Sequence, residues 1–286
     1  MADQNRWQPW EYEYVFIILM FLLNNKNYRY FLSAVTIIIV SIYFYSGISK
    51  LNTGFLDSIW SEMILRRFVG IINVKVNSLV LYYAGYGVGL LEICCGIGLL
   101  FSRSKKISAA ILITIHCFIL FFVGPFGINH NKIIWPWNIA MIAYLFFLFI
   151  RRNVSHHNFP GFKTGWNKLV IICWGFLPML YYFGCWDAYL SSALYSGNIK
   201  DMIICIKGNG ASSAALPASA YASDFRNNCD GDKMIIVSKW AMKEMNVPVY
   251  PEKRVYLEIK KYFSHKYPAV LTKSFLYYEY KKEKLE

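Results

Sequence analysis

Five stretches of this chain run eighteen residues or more with at most one formal charge: Tyr30–Ser49, Val76–Phe101, Ile107–Ile128, Ile133–Ile150 and Leu169–Trp186. Crossing a bilayer takes about 20 mainly apolar residues. A segment in lipid must also satisfy its own backbone polar groups, which an α-helix does alone. The pattern therefore predicts an all-α polytopic membrane bundle of about five transmembrane helices over residues 30–186. Pro178 sits inside the last stretch and predicts a kink there. Tyr12–Leu23 is apolar for only twelve residues, with Trp7, Trp10, Tyr12 and Tyr14 gathered at its start. That reads as an N-terminal interfacial helix within residues 1–29, with a full span as the other reading.

Charge sets the expected partners and orientation. The 286 residues carry 30 Lys and Arg against 17 Asp and Glu, a net charge of +13. In a water-soluble protein such an excess points first to nucleic acid. Here 56% of residues are hydrophobic and only 16% charged, so the basic residues read as flanks of membrane spans, with the lipid bilayer as partner and no nucleic acid. Lys26 and Arg29 precede the first span, Arg103, Lys105 and Lys106 follow the second, and Arg151, Arg152, Lys163 and Lys168 follow the fourth. The loop after the third span has only Lys132. This alternation predicts a multi-pass protein of a bacterial inner membrane, with residues 187–286 outside, although Arg66 and Arg67 run against it.

Residues 187–286 are more polar and read as a small α+β extracytoplasmic domain. Strands are expected at Met202–Lys207 and Ser274–Tyr280, and helices at Lys233–Met245 and from Pro251 to Phe263. Gly208–Ser223 reads as a loop and Lys281–Glu286 as a charged, frayed tail. Of seven cysteines, Cys205 and Cys229 are the natural disulfide candidates if that compartment is oxidising. Cys94–Cys95 reads as a pair of small apolar fillers. The chain shows no C-x-x-C pair and no zinc-ligand spacing, so no metal is predicted.

Ionisable groups at membrane depth cost about 2.5 kcal/mol or more on insertion scales and need a reason. Lys50 closes the first span. One reading makes it a poorly hydrated amine that acts as a base; the other makes it an anchor snorkelling from a helix end. Glu92 and His116 each lie about 15 Å deep at 1.5 Å per helical residue, where they could meet across a helix pair. They read as a proton relay or a quinone-head contact, or else as a hydrogen-bonded pair that fixes helix packing. The glycines of Gly85–Gly89 mark a close helix contact. Trp135-Pro136-Trp137-Asn138 opens the fourth span, as aromatic anchors or as a cofactor ceiling with Asn138 as its polar group.

The run Tyr43-Phe44-Tyr45-Ser46-Gly47-Ile48-Ser49-Lys50-Leu51-Asn52 resembles a Y-F-x-[AS]-G-x-x-K-L-[DN] segment of vitamin K-dependent γ-glutamyl carboxylases. Their wider relatives carry the horizontally transferred transmembrane domain (HTTM). Leu91-Glu92, the Gly96–Phe101 run, Ser102-Arg103-Ser104 and Ile115-His116-Cys117 follow in a similar order, so the resemblance spans about residues 30–150. DoxX-like membrane bundles share a similar Gly-x-x-Lys-Leu helix end. The carboxylase resemblance implies that Lys50 deprotonates a naphthohydroquinone, of menaquinone or vitamin K type, at the outer face. It implies support from Glu92 and His116, with Tyr43, Trp135, Trp137 and Asn138 as candidate cofactor contacts. The carboxylases have a much larger lumenal part than the roughly 100 residues here after the last span. A quinol-dependent enzyme is thus one expectation. The alternative is a non-catalytic accessory or assembly subunit of a cell-envelope complex, with other membrane proteins as partners; a transporter ranks behind both, since no inverted repeat is visible.

Overall fold

Tyr28–Ser49 is the helix around which the rest is built, with 67% of its most apolar window buried inside the protein. In the other membrane-length helices that share is 28–33%, so they leave more of their length partly or fully exposed. We analysed a computed structural model that describes residues 7–66, 78–124, 126–127, 129, 132–151, 165–206, 229, 233–266, 271–278 and 281–284. Gly208–Ser223 lies outside the described residues.

The helices are α1 Pro9–Leu23, α2 Tyr28–Ser49, α3 Phe55–Leu65, α4 Ser78–Gly98, α5 Lys105–Val123 and α6 Ile134–Leu145. Wider π-type turns extend α6 through Phe146–Arg151. Among the described residues, four helices are long and apolar enough to cross a membrane: Tyr28–Ser49, Leu79–Gly98, Lys105–Val123 and Ile134–Arg151. The expected fifth span is helical over Gly165–Phe183 but irregular. It opens as α7 Gly165–Val170, widens to π-type turns over Ile171–Phe176 and tightens to a 3-10 helix over Leu177–Phe183. Pro178 enters at the first turn of that last piece, where its missing N–H interrupts the regular ladder.

α1 packs along α2. Its buried stripe is Trp10, Glu13, Ile17 and Met20, one per helical turn, while its other face exposes Val15, Ile18, Phe21 and Leu22. An interfacial helix needs a polar outer face. From Val15 to Leu22 the outer face of α1 is apolar.

α2 and α4 approach through small residues. A Cβ on Gly47 would stand 2.5 Å from the Gly89 carbonyl oxygen, and one on Gly89 2.7 Å from the Gly47 oxygen. Gly85, the other glycine of the Gly85–Gly89 motif, receives the Trp60 ring of α3 instead. Trp60 Nε1 also donates to the Leu81 carbonyl oxygen at 2.7 Å, and the Tyr82 hydroxyl donates to Asp57 at 2.8 Å, so α3 is pinned along α4. α3 has the wide turns of a π-helix throughout its eleven residues.

The chain divides into two compact units, residues Gln8–Asn198 and a second built mainly from Ile199–Glu286. The second holds β1 Asp201–Ile206, β2 Lys233–Ile236, α8 Val237–Met245, α9 Lys253–Lys266, β3 Leu271–Tyr278 and β4 Lys281–Lys284. Its antiparallel sheet has the order β2-β1-β3-β4, with Ile203 opposite Ile236 and Phe275. β1 is buried from Met202 through Ile206, as a central strand should be. Two expectations need correction. Lys233–Ile236 is a strand rather than the first turn of a helix, and the charged Lys281–Lys284 pairs as an edge strand rather than fraying. Edge strands tolerate such charge because one side of the strand stays in water. Cys205 and Cys229 are joined by a disulfide; the other described cysteines, Cys94 and Cys95 included, are free.

Candidate functional site

α2 ends at Ser49, and Lys50 caps it with a backbone still near helical. The side chain of Lys50 turns back along α2 instead of reaching outward. Its Nζ donates to Ser46 Oγ at 2.6 Å and to Glu92 Oε2 of α4 at 2.5 Å. Ser46 Oγ donates in turn to the same Glu92 oxygen at 3.0 Å. Ammonium, hydroxyl and carboxylate thus close a triangle, and the Lys50 and Glu92 side chains are only 12% and 8% exposed. Two glycines make this pairing reachable, because side chains at Gly47 and Gly89 would hold α2 and α4 apart. Asn52, two residues on, fixes the corner that follows. Its amide donates to the Ser49 and Ser196 carbonyl oxygens, and its Oδ1 accepts from the Phe55 N–H that opens α3.

About 10 Å deeper, at 1.5 Å per residue along α2, lies a second polar layer. The Tyr43 hydroxyl is 2.6 Å from His116 Nε2, and His116 Nδ1 is 2.7 Å from Asn138 Oδ1. Asn138 Nδ2 donates to the Ile134 carbonyl oxygen at 2.8 Å, so its Oδ1 is left to accept. That assigns the proton of the imidazole to Nδ1 and leaves Nε2 to accept from the Tyr43 hydroxyl. In the neutral ring these partners select one tautomer, and the Tyr43 oxygen then keeps a lone pair for a further donor. Glu92 and His116, expected as neighbours, take different partners: Glu92 binds Lys50, and His116 binds Tyr43 and Asn138.

Both layers line one cavity of about 700 Å³ between α1–α6 and the α7 segment, within the range of small-molecule sites. Its walls are largely apolar, with Ile42, Phe55, Trp60, Val88, Phe118 and Met141 among them. Lys50, Glu92, His116, Tyr43, Trp137 and Asn138 all face into this space. Trp135 is not among the lining residues, and its indole N–H is buried with no hydrogen-bond partner among the described residues.

Sequence reasoning passed over Glu13. It is 1% exposed on α1, lines the cavity, and accepts the Trp137 indole N–H at Oε2 at 2.7 Å. The neighbouring Glu11 does something else: it closes the capping box of α1, accepting the Gln8 N–H at 2.6 Å. The signal was in the chain, because Glu13 falls on the i, i+3, i+7 stripe with Trp10, Ile17 and Met20, whereas Glu11 does not. Trp174, Trp60, Tyr189 and Tyr195 are further wall residues that the sequence did not single out.

Chemically, the arrangement offers a largely apolar chamber with an ion pair at one level and an oriented hydroxyl–imidazole–amide chain at another. No metal-binding cluster of His, Cys, Asp and Glu occurs among the described residues. No protein family, curated protein or solved structure matches the chain.

Proposed function

We propose that this membrane protein binds a lipid-soluble hydroquinone, of naphthoquinol type, in the cavity beneath Lys50, and that the Lys50–Glu92 pair takes up a proton from the ligand. The observation that carries the reading is this pair, held at 2.5 Å in the wall of a largely apolar chamber of about 700 Å³. An apolar two-ring molecule with hydroxyl ends suits such a chamber: its rings contact aromatic walls, and its oxygens find the few polar groups. A bound quinol would supply two-electron redox chemistry.

The residues divide the remaining work. Glu92 receives the proton, directly or through Lys50. By either route Lys50 ends as an ammonium beside the oxygen that released the proton, and Glu92 ends neutral. Ser46 holds both groups in place by donating to one and accepting from the other. Tyr43, oriented by His116, offers its hydroxyl oxygen to a ligand O–H. The apolar walls exclude water, which strengthens each of these interactions. The resemblance to vitamin K-dependent carboxylases points the same way. We extend the reading to a multi-pass protein of a bacterial inner membrane with Lys50 near the outer face.

A second reading has an observation of its own. The Lys50–Glu92 pair also ties α2 to α4, so it would serve a non-catalytic subunit of an envelope complex as a structural clamp. Extraction of the full chain in mild detergent, followed by mass analysis of bound lipid, separates the two. A co-purified naphthoquinone that is lost in the Lys50→Met, Glu92→Gln double variant, while its unfolding midpoint stays near that of wild type, supports the first reading. A protein that carries no quinone and binds none when it is added overturns it.

A further inference from the structure

Two buried polar atoms in the cavity wall have no hydrogen-bond partner among the described residues, and they are complementary. One is Glu13 Oε1, an acceptor; the other is the indole N–H of Trp174, a donor. Both residues line the chamber, and they are 1% and 5% exposed. They also lie toward the same side of it. Phe16, one helical turn after Glu13 on α1, packs its ring edge-on against Trp174 at 5.7 Å. Leaving such groups unpaired costs about 1–3 kcal/mol each, more for a carboxylate. A protein that keeps both beside an internal chamber has a use for them there.

We propose that Glu13 and Trp174 form a second docking point of the cavity, which receives a neutral hydroxyl group of the ligand. The pairing decides the chemistry. A hydroxyl donates to Glu13 Oε1 and accepts from the Trp174 N–H at once. An ammonium cannot accept from the indole; with Glu13 ionised, a carboxylate or phosphate is repelled and a bare carbonyl has no proton to donate to it. Trp137 holds the other carboxyl oxygen, so the free one is fixed in direction. Glu13, Tyr43 and the Lys50–Glu92 pair all line this one chamber. A ligand meeting both is an apolar molecule with a polar group at each end. The inference rests on the cavity being a ligand site, and it specifies what the end remote from Lys50 must carry.

The test uses the full chain in detergent, under reducing anaerobic conditions, with equilibrium dialysis of a naphthohydroquinone and of its monomethyl ether. Wild type should bind the diol about 10-fold more tightly than the ether, the worth of one hydrogen bond in a dry site. Trp174→Phe keeps an aromatic ring but removes the unpaired N–H together with the rest of the five-membered ring, so its unfolding midpoint is measured beside its binding. The folded variant should bind the diol about 10-fold more weakly. Glu13→Leu should abolish the preference for diol over ether, while Trp174→Phe retains part of it. Water would also satisfy both atoms. If water alone occupies the point, both variants bind the diol as wild type does, and the proposal is overturned while the quinol reading stands. If wild type binds neither compound, the quinol reading falls and this proposal falls with it.

Discussion

The Tyr43 hydroxyl and His116 Nε2 stand 2.6 Å apart, joining the central helix α2 to α5 at the inner level of the cavity. Both residues are buried, and the far side of the imidazole is held by Asn138. Tyr43→Phe keeps the ring and removes the donor, so the imidazole nitrogen loses its partner in a site with little water. The expected cost is about 1–3 kcal/mol, read as a lower unfolding midpoint in detergent. Asn138→Leu should cost about as much, because it strands the His116 Nδ1–H. A Tyr43→Phe protein as stable as wild type would mean that water replaces the phenol, and the chain of fixed tautomers would not exist.

The Lys50–Glu92 pair makes a different demand. Removing one member of a buried ion pair leaves an uncompensated charge, at a cost of about 3–5 kcal/mol, whereas replacing both with apolar or neutral groups is often nearly neutral. Lys50→Met and Glu92→Gln should each destabilise the bundle strongly, and the double variant should recover much of the loss. A double-mutant cycle on chemical or thermal unfolding measures the coupling directly. Purely additive losses would show that the two groups do not act on one another.

Much of this site was legible in the chain, for physical reasons that differ by residue. Lys50 and Glu92 stood out because a charge at the edge of, or within, an apolar run is costly. That they pair across 42 residues was not legible, since it depends on the register of α2 against α4, which Gly47 and Gly89 set through space. Glu13 was hidden by its setting in Glu11-Tyr12-Glu13-Tyr14, which reads as a watery helix start until the faces of α1 are separated. In the C-terminal unit, β2 runs directly into α8 with no turn residue between them, so the sequence shows one continuous segment where the backbone makes two. The charged β4 offers no apolar alternation at all, and only its pairing with β3 reveals it.

Close approach at Gly47 yields a prediction with an internal control. A Cβ there would meet the Gly89 oxygen at 2.5 Å and the Ile93 backbone nitrogen at 2.9 Å, neither of which a side-chain rotation relieves. Gly47→Ala should therefore push α4 away and cost about 1–3 kcal/mol. Separation would also lengthen the Lys50–Glu92 contact, so ligand binding should weaken together with stability. Gly87, on the facing helix α4, has nothing within 4 Å of its would-be Cβ. Gly87→Ala should be neutral or stabilising by up to about 1 kcal/mol, through helix propensity alone. Equal losses in both variants would refute close packing at Gly47 as the cause.

Asp201 couples the first strand of the C-terminal unit to its first helix. The N-cap residue of α8, Ile236, supplies no side-chain oxygen. The antiparallel register that sets Ile203 opposite Ile236 brings Asp201 beside Ser238, whose N–H donates to Asp201 Oδ1 at 3.2 Å and whose hydroxyl donates to Oδ2. The Met202 N–H adds a third donor at 2.8 Å. Asp201→Ala should cost about 1 kcal/mol, as loss of a cap does. Burial raises the Asp201 carboxyl above its usual range, against the opposing pull of these hydrogen bonds and of Lys239. A folded value above the unfolded one means that the folded unit binds the proton more tightly. That contribution to stability is fully present below the unfolded value, about 3.9, and is lost as pH rises through the higher folded value. Amide exchange of β1 and α8 in the full chain, converted to opening free energies across this window, should show them falling as pH rises. Asp201→Asn should flatten that slope while keeping an acceptor for the Ser238 N–H. An unchanged slope in Asp201→Asn would assign the pH dependence to another group.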